Sequence, residues 1–275
     1  DDEKALHLIY SQFRTLEGIG IFKLVLQANG FAEFKLFKNE KDEYILNISE
    51  DNKGKPMFVL YTGTETTEQK EIIRNIYNSN WKFVPNSIVK QIEKISRNNN
   101  QGQIIKLFMI TSSGAEGISL KSTRYVHIME PYWHPVRITQ VIGRARRICS
   151  HSDLPEDQQT VKVYMYLLTH NQDLLSSDYG SQFTGLKEVQ DYDRVQERAI
   201  STDERLYLIM NRKKALMEEF LHSLKISSID CRVNYEEKDK CFSFAIKPPG
   251  IDYTKEKKNI IQVRKETNNN RGVEV

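Results

Sequence analysis

Residues 104–129 read IIKLFMITSSGAEGISLKSTRYVHIM, in which two apolar runs enclose a segment of small polar residues. Each of these runs, at 104–110 and 125–129, has the length of a β-strand. Largely unbroken apolar strands are typical of a parallel sheet that is covered on both faces. The stretch therefore predicts two buried strands joined by a connection that contains two glycines.

The alternation of strands and helices continues on both sides of this stretch. Further strands are predicted at residues 5–10, 57–61 and 160–168. Helices are predicted where apolar residues recur at helical spacing, which occurs at residues 19–31, around residues 72–76 and at residues 135–148. Two polar segments interrupt the pattern: a predicted loop or hairpin at 39–55 and a predicted surface loop at 98–102. Repeated alternation predicts an α/β fold in which helices flank a parallel sheet.

The chain after residue 170 divides into segments of different character. Residues 171–201 show little apolar periodicity and predict an irregular connector. Residues 202–225 predict a helix that Thr202 caps and that carries one apolar stripe, formed by Leu206, Ile209, Leu216, Phe220 and Leu224. The expected organisation is a sheet domain at 1–170, a connector at 171–201, a helical extension at 202–235 and a loosely ordered tail at 236–275.

The composition narrows the class of protein without indicating a function. The 275 residues include 40 Lys and Arg, 37 Asp and Glu and three Cys, with a net charge of +3. A chain of this length can bury a core without a disulfide, and the scattered cysteines match neither a secreted disulfide scaffold nor a zinc-ligand spacing. No apolar run approaches the roughly 20 residues of a membrane span, so we expect a soluble intracellular protein. The small net charge does not by itself indicate binding to nucleic acid.

The polar segment inside the opening stretch is a candidate binding site. Residues 111–120 read TSSGAEGISL and follow a predicted strand directly. Glycines at the carboxyl end of a strand let backbone amides approach a ligand closely, and hydroxyl groups can bond phosphate oxygens. A tight turn within the core would have the same composition, so this segment alone leaves both interpretations open.

The predicted helix at 135–148 concentrates positive charge. Four of its polar residues share one face of an ideal helix, namely Arg137, Gln140, Arg144 and Arg147, and an apolar set shares another, namely Ile138, Val141, Ala145 and Ile148. Residues 117–152 contain six Lys and Arg but a single acid, Glu130. Closely spaced arginines repel one another and suit phosphate oxygens, so this face predicts an anion site. A solvated basic face that pairs with distant carboxylates is the alternative.

Together the two segments resemble motifs V and VI of superfamily 2 helicases. The first has the pattern T-x-x-G-x-x-G-x-x-L, and the second, Q-x-x-G-R-x-x-R, begins at Gln140. Trp133-His-Pro135 and Arg147-Ile148 are closer to the Swi/Snf-like branch, in which Tyr10-Ser-Gln-Phe13 resembles motif IV and Tyr61-Thr-Gly63 a turn that contacts nucleic acid. The runs at 113–120, 130–135, 143–151 and 154–155 resemble the helicases of poxviruses and other large DNA viruses. The resemblance covers about residues 5–168 and, more loosely, residues 201–231.

This resemblance implies the RecA-like C-terminal lobe of a two-lobe helicase that binds ATP and Mg²⁺ between its lobes. The phosphate loop G-x-x-x-x-G-K-[ST] and the acidic strand end that binds the metal belong to the first lobe, and neither pattern occurs in this sequence. We therefore expect that this chain lacks the Walker A and B motifs and hydrolyses no ATP on its own. Its expected partner is the N-terminal RecA-like lobe of the same protein.

The resemblance also implies roles for individual residues. Arg147 would be the arginine finger, Arg144 its companion, and Gln140 would order the nucleotide site. The residues expected at the nucleotide or at the lobe interface are Glu116, Gly117, Ser119 and Gly143. The residues expected to hold the nucleic-acid backbone are Ser11, Thr62, Gly63, Thr111, Ser112 and Ser113. No metal ligands are predicted, Trp133 is predicted to be a buried packing residue, and His127 and His134 are predicted to be structural.

Backbone contacts read no sequence, so we expect binding to nucleic acid, DNA rather than RNA, that is independent of sequence and sensitive to salt. Viral transcription machinery is a further expected partner, and a viral source would place the protein in the host cytoplasm or nucleus and in the virion. Two alternatives stay open. One is a separate module that binds nucleic acid or a partner without hydrolysis, and the other is a translocase that moves along duplex without separating strands.

Overall fold

The computed structural model describes residues 4–15, 18–46, 48–112, 117–170, 191–193, 198–229, 231 and 241. Two compact units, Asp1–Met210 and Asn211–Val275, divide the chain, and each is described separately. In the described part of the chain, no helix is both long enough and apolar enough to cross a membrane. The four-part division expected from the sequence places its boundaries elsewhere and stays a prediction.

A parallel sheet forms the centre of the first unit. The described strands are β1 (Leu6–Tyr10), β2 (Ala32–Glu33), β3 (Leu36–Lys38), β4 (Tyr44–Leu46), β5 (Met57–Tyr61), β6 (Leu107–Ile110), β7 (Thr123–Ile128), β8 (Lys162–Met165), β9 (Asp191–Asp193) and β10 (Arg198–Ile200). Six of them form one sheet in the order β2-β5-β6-β1-β7-β8, and each neighbouring pair is parallel. The other four form the antiparallel hairpins β3–β4 and β9–β10. The predicted α/β fold with a RecA-like parallel sheet is therefore confirmed.

Three of the five described α-helices begin where a polar side chain accepts a hydrogen bond from a free backbone N–H group. The described α-helices are α1 (Ile19–Ala28), α2 (Thr67–Tyr77), α3 (Asn86–Ile92), α4 (Pro135–Ala145) and α5 (Thr202–Ser227). Helix α2 starts with a capping box between Thr66 and Gln69. Helix α5 starts in the same way, because the Glu204 N–H donates to Ser201 Oγ at 3.1 Å and the Ser201 N–H donates to Glu204 Oε2 at 2.8 Å. The prediction that Thr202 caps this helix is wrong, since Ser201 takes that position.

The core lies on both faces of the sheet. Successive residues of a strand point to opposite faces. On the central strand β1, Leu8 belongs to the larger buried cluster, which also contains Ile76 of α2 and Ile138 of α4. Its neighbour Ile9 belongs to a smaller cluster on the other face, with Ile19 of α1. Helices therefore cover both faces, which explains why the central strands carry unbroken apolar runs.

The element boundaries agree with the sequence in some places and differ in others. Strand β5 occupies the predicted residues 57–61, and the β3–β4 hairpin overlaps the predicted loop or hairpin at 39–55. Helix α4 ends at Ala145, three residues before the predicted end at Ile148. The loop at 98–102 is not simply a surface loop, because Asn99 within it is 0% exposed. The connector predicted at 171–201 falls mostly outside the described residues, as does the tail at 236–275.

In the second unit, the described residues form the C-terminal part of α5 and one disulfide. The predicted apolar stripe stays at the surface there, since Leu216, Phe220 and Leu224 are all exposed. Cys231 and Cys241 form a disulfide with an S–S distance of 2.01 Å. Cys149, in the first unit, is a free and exposed thiol.

Candidate active site

Three hydroxyl residues lie side by side at the carboxyl edge of the sheet. Ser11, Thr62 and Thr111 directly follow β1, β5 and β6. Strand β6 lies between the other two, and its last residue, Ile110, pairs with the last residue of each neighbour. The Ser11 N–H also donates to the Ile110 carbonyl at 3.2 Å. Open α/β sheets bind ligands at the carboxyl ends of their strands, so the structure brings these predicted contacts together at a suitable edge.

The side chains of Ser11 and Thr62 are already engaged in their own turns, and both residues are buried. Ser11 Oγ accepts a hydrogen bond from the Phe13 N–H at 3.1 Å. Thr62 Oγ1 donates to Glu65 Oε1 at 3.1 Å, and the Thr62 N–H donates to Glu65 Oε2 at 2.7 Å. These hydroxyls therefore shape the backbone of the edge. Gly63, which is exposed, and Ser112, which is half-buried, are the more accessible positions.

Glu130 is a site residue for which the sequence analysis assigned no role. It follows β7, and its carboxylate accepts a hydrogen bond from the Gln12 N–H, which connects the end of β7 to the turn after β1. Burial is the largest influence on the pKa of this carboxyl and raises it, whereas hydrogen bonds from Gln12 and Ser11 lower it. The sequence contains one indication of a role for Glu130, because it is the single acid among six basic residues in the stretch 117–152.

Helix α4 is fixed at its start by His134 and on one side by the core. His134 Nδ1 accepts a hydrogen bond from the Val136 N–H at 3.2 Å, and Pro135 occupies the first turn. Ile138, Val141 and Ala145 are buried, as predicted for the apolar face, but Ile148, predicted on the same face, is 96% exposed. The other face is accessible: Gln140 is exposed, and the guanidinium of Arg137 lies over the Tyr132 ring at 4.5 Å from its centroid.

The two predicted catalytic arginines differ in position. Arg144 lies in the last turn of α4, and its Nε is buried with no hydrogen-bond partner among the described residues. Arg147 lies beyond the end of the helix, so the prediction that it shares a helical face with Arg144 is wrong. Its Nη2 donates to the Ile118 carbonyl at 2.9 Å, and its Nε donates to the Gly143 carbonyl at 3.4 Å.

The two motif segments are joined by main-chain carbonyls. The Leu120 N–H donates to the Arg144 carbonyl at 3.0 Å, which complements the bond from Arg147 to Ile118. Ser119 is held on the other side, because its carbonyl accepts a hydrogen bond from Asn78 Nδ2 at 2.8 Å. The segment at 117–120 is therefore in direct contact with the end of α4 and with the turn that carries Arg147. Ser113 and Glu116, the remaining residues predicted here, lie outside the described residues.

The structure explains one of the two glycines of the site, Gly117, but not the other, Gly143. Gly117 has a φ of 71°, a left-handed conformation that favours glycine. Gly143 lies within α4, where a Cβ would meet no atom within 4 Å in the described structure. Among the described residues, neither packing nor backbone conformation explains a glycine at 143. Close approach of a ligand is a reason that would do so.

The turn that carries Arg147 is held by Ser150 and His151. Ser150 Oγ accepts a hydrogen bond from the Arg147 N–H at 3.2 Å and lies 3.0 Å from the Ala145 carbonyl. His151 Nε2 donates to the Thr123 carbonyl at 2.8 Å, which connects the turn to the start of β7. These roles could not be predicted from the sequence, because the contact of His151 depends on a residue 28 positions earlier in the chain.

Two aromatic predictions have different outcomes. The prediction that Trp133 is a buried packing residue is wrong, because Trp133 is 45% exposed. Its ring contacts the neighbouring Tyr132 and His134 rings, so the aromatic cluster lies at the start of α4 on the surface. His127 has structural contacts, since its Nε2 lies 3.0 Å from His7 Nδ1 and its Nδ1 lies 2.8 Å from Tyr166 Oη.

The His7–His127 pair is held in the uncharged form. Burial, together with nearby His127, Lys106 and Arg124, lowers the pKa of His7 to about 4, and burial also lowers the pKa of His127. Among the described residues, no group of three or more His, Cys, Asp or Glu side chains is placed to hold a metal ion.

Several known proteins are similar to this chain in sequence. Residues 40–149 match the helicase conserved C-terminal domain. A protein of Acanthamoeba polyphaga mimivirus described as an ATP-dependent RNA helicase is 30% identical over 86% of this chain and 24% of its own length. A termination factor NPH-I homolog of African swine fever virus is 30% identical over 85% of this chain and 30% of its own length.

The solved C-terminal part of the Fun30 ATPase domain also matches, at 11% identity and a TM-score of 0.37, over 78% of this chain and 48% of that one. This structural similarity is too low to assign the chain to a branch of the helicases. The chain spans 24–30% of the length of the two viral relatives. Residues 40–149 thus match the helicase C-terminal domain family, and the proteins similar to this chain include helicases of large DNA viruses.

Proposed function

We propose that this chain is the second motor lobe of an ATP-dependent nucleic-acid helicase or translocase. In this role Arg147 is the arginine finger, Arg144 is its companion, and an N-terminal RecA-like lobe binds ATP and Mg²⁺. Gln140, Gly117, Ser119 and Gly143 border the nucleotide, as does Glu116. The supporting observation is the pair of arginines at the junction of the two motif segments. Within the described residues, neither Arg144 nor Arg147 forms an ion pair with a carboxylate.

The residues present fit a phosphate group. A buried guanidinium N–H without an acceptor costs free energy, and Arg144 Nε is such a group within the described structure. Arg147 donates only to carbonyl oxygens, which a phosphate oxygen can replace with a shorter, charge-assisted bond. In the proposed site the two guanidinium groups stabilise the charge that develops on the transferring phosphoryl group.

The carboxyl ends of β1, β5 and β6 supply the proposed track for nucleic acid. Gly63 and Ser112 offer accessible backbone there, and the turns at Ser11 and Thr62 hold that backbone in place, with Thr111 beside them. Ser113 belongs to the same proposed track. Contacts of this kind bind phosphates without reading bases, so affinity should not depend on sequence and should fall as salt rises. We propose DNA as the track, with viral transcription machinery as a further partner in the infected host cell.

The decisive experiment uses the complete protein, with both lobes. In that protein Arg147→Ala should lower nucleic-acid-stimulated ATP turnover by about 10³–10⁵-fold, the range found for arginine fingers. The affinity for ATP should change by less than about tenfold, because the phosphate loop of the first lobe remains. Arg146→Ala is the matched control, since Arg146 is exposed and adjacent but makes no described contact with the segment at 117–120. Turnover that survives in Arg147→Ala would show that this residue is not the finger.

A second measurement distinguishes the motor lobe from a binding module that acts alone. The 275-residue chain by itself should hydrolyse no ATP and should bind DNA or RNA weakly. Robust ATP hydrolysis by the isolated chain would contradict the two-lobe proposal. In the complete protein, strand separation and displacement of a third strand from a triplex distinguish a helicase from a duplex translocase.

A further inference from the structure

A second basic region lies at the amino edge of the sheet, opposite the hydroxyl residues that follow β1, β5 and β6. A cavity of about 940 Å³ is bordered there by the segments that lead into β1, β5 and β6 and by the end of α3. Five lysines line it: Lys4, Lys53, Lys55, Lys94 and Lys106. None of the residues assigned to the motor site lines this cavity. It is therefore a separate site.

The cavity wall is held by a buried amide. Asn99 Oδ1 accepts hydrogen bonds from the N–H groups of Ile104 and Ile105, both at 2.9 Å. Its Nδ2 donates to the Tyr77 carbonyl at 3.2 Å and to the Ile105 carbonyl at 3.1 Å. Gly102, a lining residue, has a φ of 76°, and a Cβ there would lie 2.8 Å from the Ala5 carbonyl oxygen. The loop is thus fixed against β1 and β6, so the cavity is formed before any partner arrives.

The charge of the cavity points to an anionic partner. Among the described residues that line it, none is acidic. Lys55 Nζ donates a hydrogen bond to Asn52 Oδ1 at 3.2 Å. Because this amide oxygen is neutral, the bond does not compensate the positive charge of the lysine. Four of the five lysines are exposed at the cavity rim. Like charges that converge on one concavity favour a ligand of opposite sign.

The floor of the cavity is apolar, which selects among anions. Leu46, Ile48, Met57 and Ile95 line it, and Ile95 is exposed. No aromatic side chain and no arginine is among the described lining residues, so the cavity lacks both a surface for stacking bases and a group for bidentate phosphate contacts. A free polyphosphate would leave the apolar floor without a partner. A peptide that carries carboxylates and an apolar side chain satisfies both parts.

We propose that this cavity docks an acidic segment of a partner protein, with one aliphatic or aromatic side chain on the apolar floor and flanking Asp or Glu side chains paired with the lysines. Carboxylates that meet Lys55 and Lys94 gain charge-assisted hydrogen bonds. The apolar side chain gains burial against Ile95 and Met57. This docking site is independent of the motor proposal, because the two sites share no residue.

The test uses fluorescence anisotropy on the full chain at fixed moderate salt. The probes are three fluorescein-labelled peptides in which Asp and Glu flank a central Leu, Phe or Met, and a control peptide with Ser in place of the apolar residue. The double variant Lys55→Glu/Lys94→Glu should weaken at least one apolar peptide by about tenfold or more, because two attractive pairs become repulsive. Ile95→Ser should weaken the same peptide about threefold to tenfold and leave the Ser peptide unchanged.

The matched control is Lys90→Glu, which changes an exposed lysine of α3 that does not line the cavity and should leave binding within about twofold. Circular dichroism confirms that each variant is folded. Equal binding of the Ser peptide and the apolar peptides would overturn the proposal, as would the absence of saturable binding by all three. The proposal would also be wrong if a labelled dT20 oligonucleotide or inositol hexakisphosphate bound more tightly with the same dependence on Lys55 and Lys94.

Discussion

The turn that carries Arg147 and the lysine cavity at the amino edge of the sheet are both basic, but they present their charge in different ways. At the turn after α4, the guanidinium of Arg147 lies against the segment at 117–120 and is already oriented by carbonyl oxygens. At the amino edge, lysines surround an apolar concavity whose wall is fixed by Asn99. Arginine forks and backbone N–H groups suit phosphate geometry, whereas lysines over an apolar floor tolerate varied carboxylates. Net charge alone would not distinguish these two regions.

The sharpest way to break this comparison is Arg144→Ala in the complete protein. We expect ATP turnover to fall by about 10²–10³-fold, as for the loss of one preorganised donor to the transition state. The peptide affinity of the amino-edge cavity should not change, because Arg144 does not line it. Steady-state ATPase assays and peptide anisotropy on the same preparation make the measurement. A parallel loss of both activities would show that the two sites are not independent.

The amino edge can be weakened by Asn99→Ala. The substitution removes the side-chain bonds to Tyr77, Ile104 and Ile105 and leaves buried backbone groups without partners, so unfolding free energy should fall by about 3 kcal/mol. Chemical denaturation of the isolated chain measures this change. Asn100→Ala is the control, because the nearest side-chain contact to Asn100 Oδ1, from Ser79 Oγ, is long at 3.4 Å. An equal loss in both variants would contradict the role assigned to Asn99.

The centre of the sheet, between the two edges, should respond to acid. The folded pKa of His7 is about 4 and its ordinary value is 6.5, so the unfolded chain binds a proton that the folded chain excludes between these values. This group's stability contribution is complete above pH 6.5 and declines as the pH falls toward 4. The loss is at most about 3 kcal/mol.

His7→Phe isolates this contribution, because phenylalanine keeps an aromatic ring at this position and has no group that binds a proton. Denaturation midpoints of both proteins, measured between pH 7 and pH 4.5, give the difference in slope. The wild-type protein should lose more stability over this range than the variant does. Parallel curves would show that the neutral His7–His127 pair does not set the acid sensitivity.

The smallest expected change in stability is at Gly143. Gly143→Ala should raise the unfolding free energy by about 0.5–1 kcal/mol, because alanine favours the helix and its Cβ meets no atom within 4 Å. In the complete protein the same variant should lower ATP turnover if a nucleotide approaches this surface closely. Gly30→Ala is a contrasting control, since its φ of 83° makes it unfavourable for alanine and it lies outside the site. Unchanged turnover would remove Gly143 from the nucleotide site.

The sequence predicted the sheet better than it predicted the site. Strand β5 was placed correctly because a continuous apolar run has few alternatives once helices must cover both faces. The early end of α4 was missed because it depends on Ser150 and on the contact of His151 with Thr123, which lies 28 residues away in sequence. The burial of Trp133 was predicted wrongly, because an apolar ring does not by itself show whether another part of the chain packs against it.

The amino-edge cavity could not be predicted from sequence at all. Its lysines come from four separate segments, and each one alone resembles an ordinary exposed lysine. Only the order of the strands brings Lys4, Lys55 and Lys106 to one edge. Asn99 gave no signal either, because asparagine in a run of asparagines is typical of a surface loop.

The hydrogen bond between Arg147 and the Ile118 carbonyl has a thermodynamic consequence for the proposed motor. A nucleotide that attracts this guanidinium must replace that bond, which changes the bonding of the segment next to Gly117. If nucleic acid favours one arrangement of this segment, it changes the affinity of the protein for the nucleotide, and the nucleotide likewise changes the affinity for nucleic acid. The factor is the same in both directions, because coupling free energy is reciprocal. Measuring ATP affinity with and without nucleic acid, and nucleic-acid affinity with and without ATP, should therefore give equal ratios, and Arg147→Ala should bring both toward one.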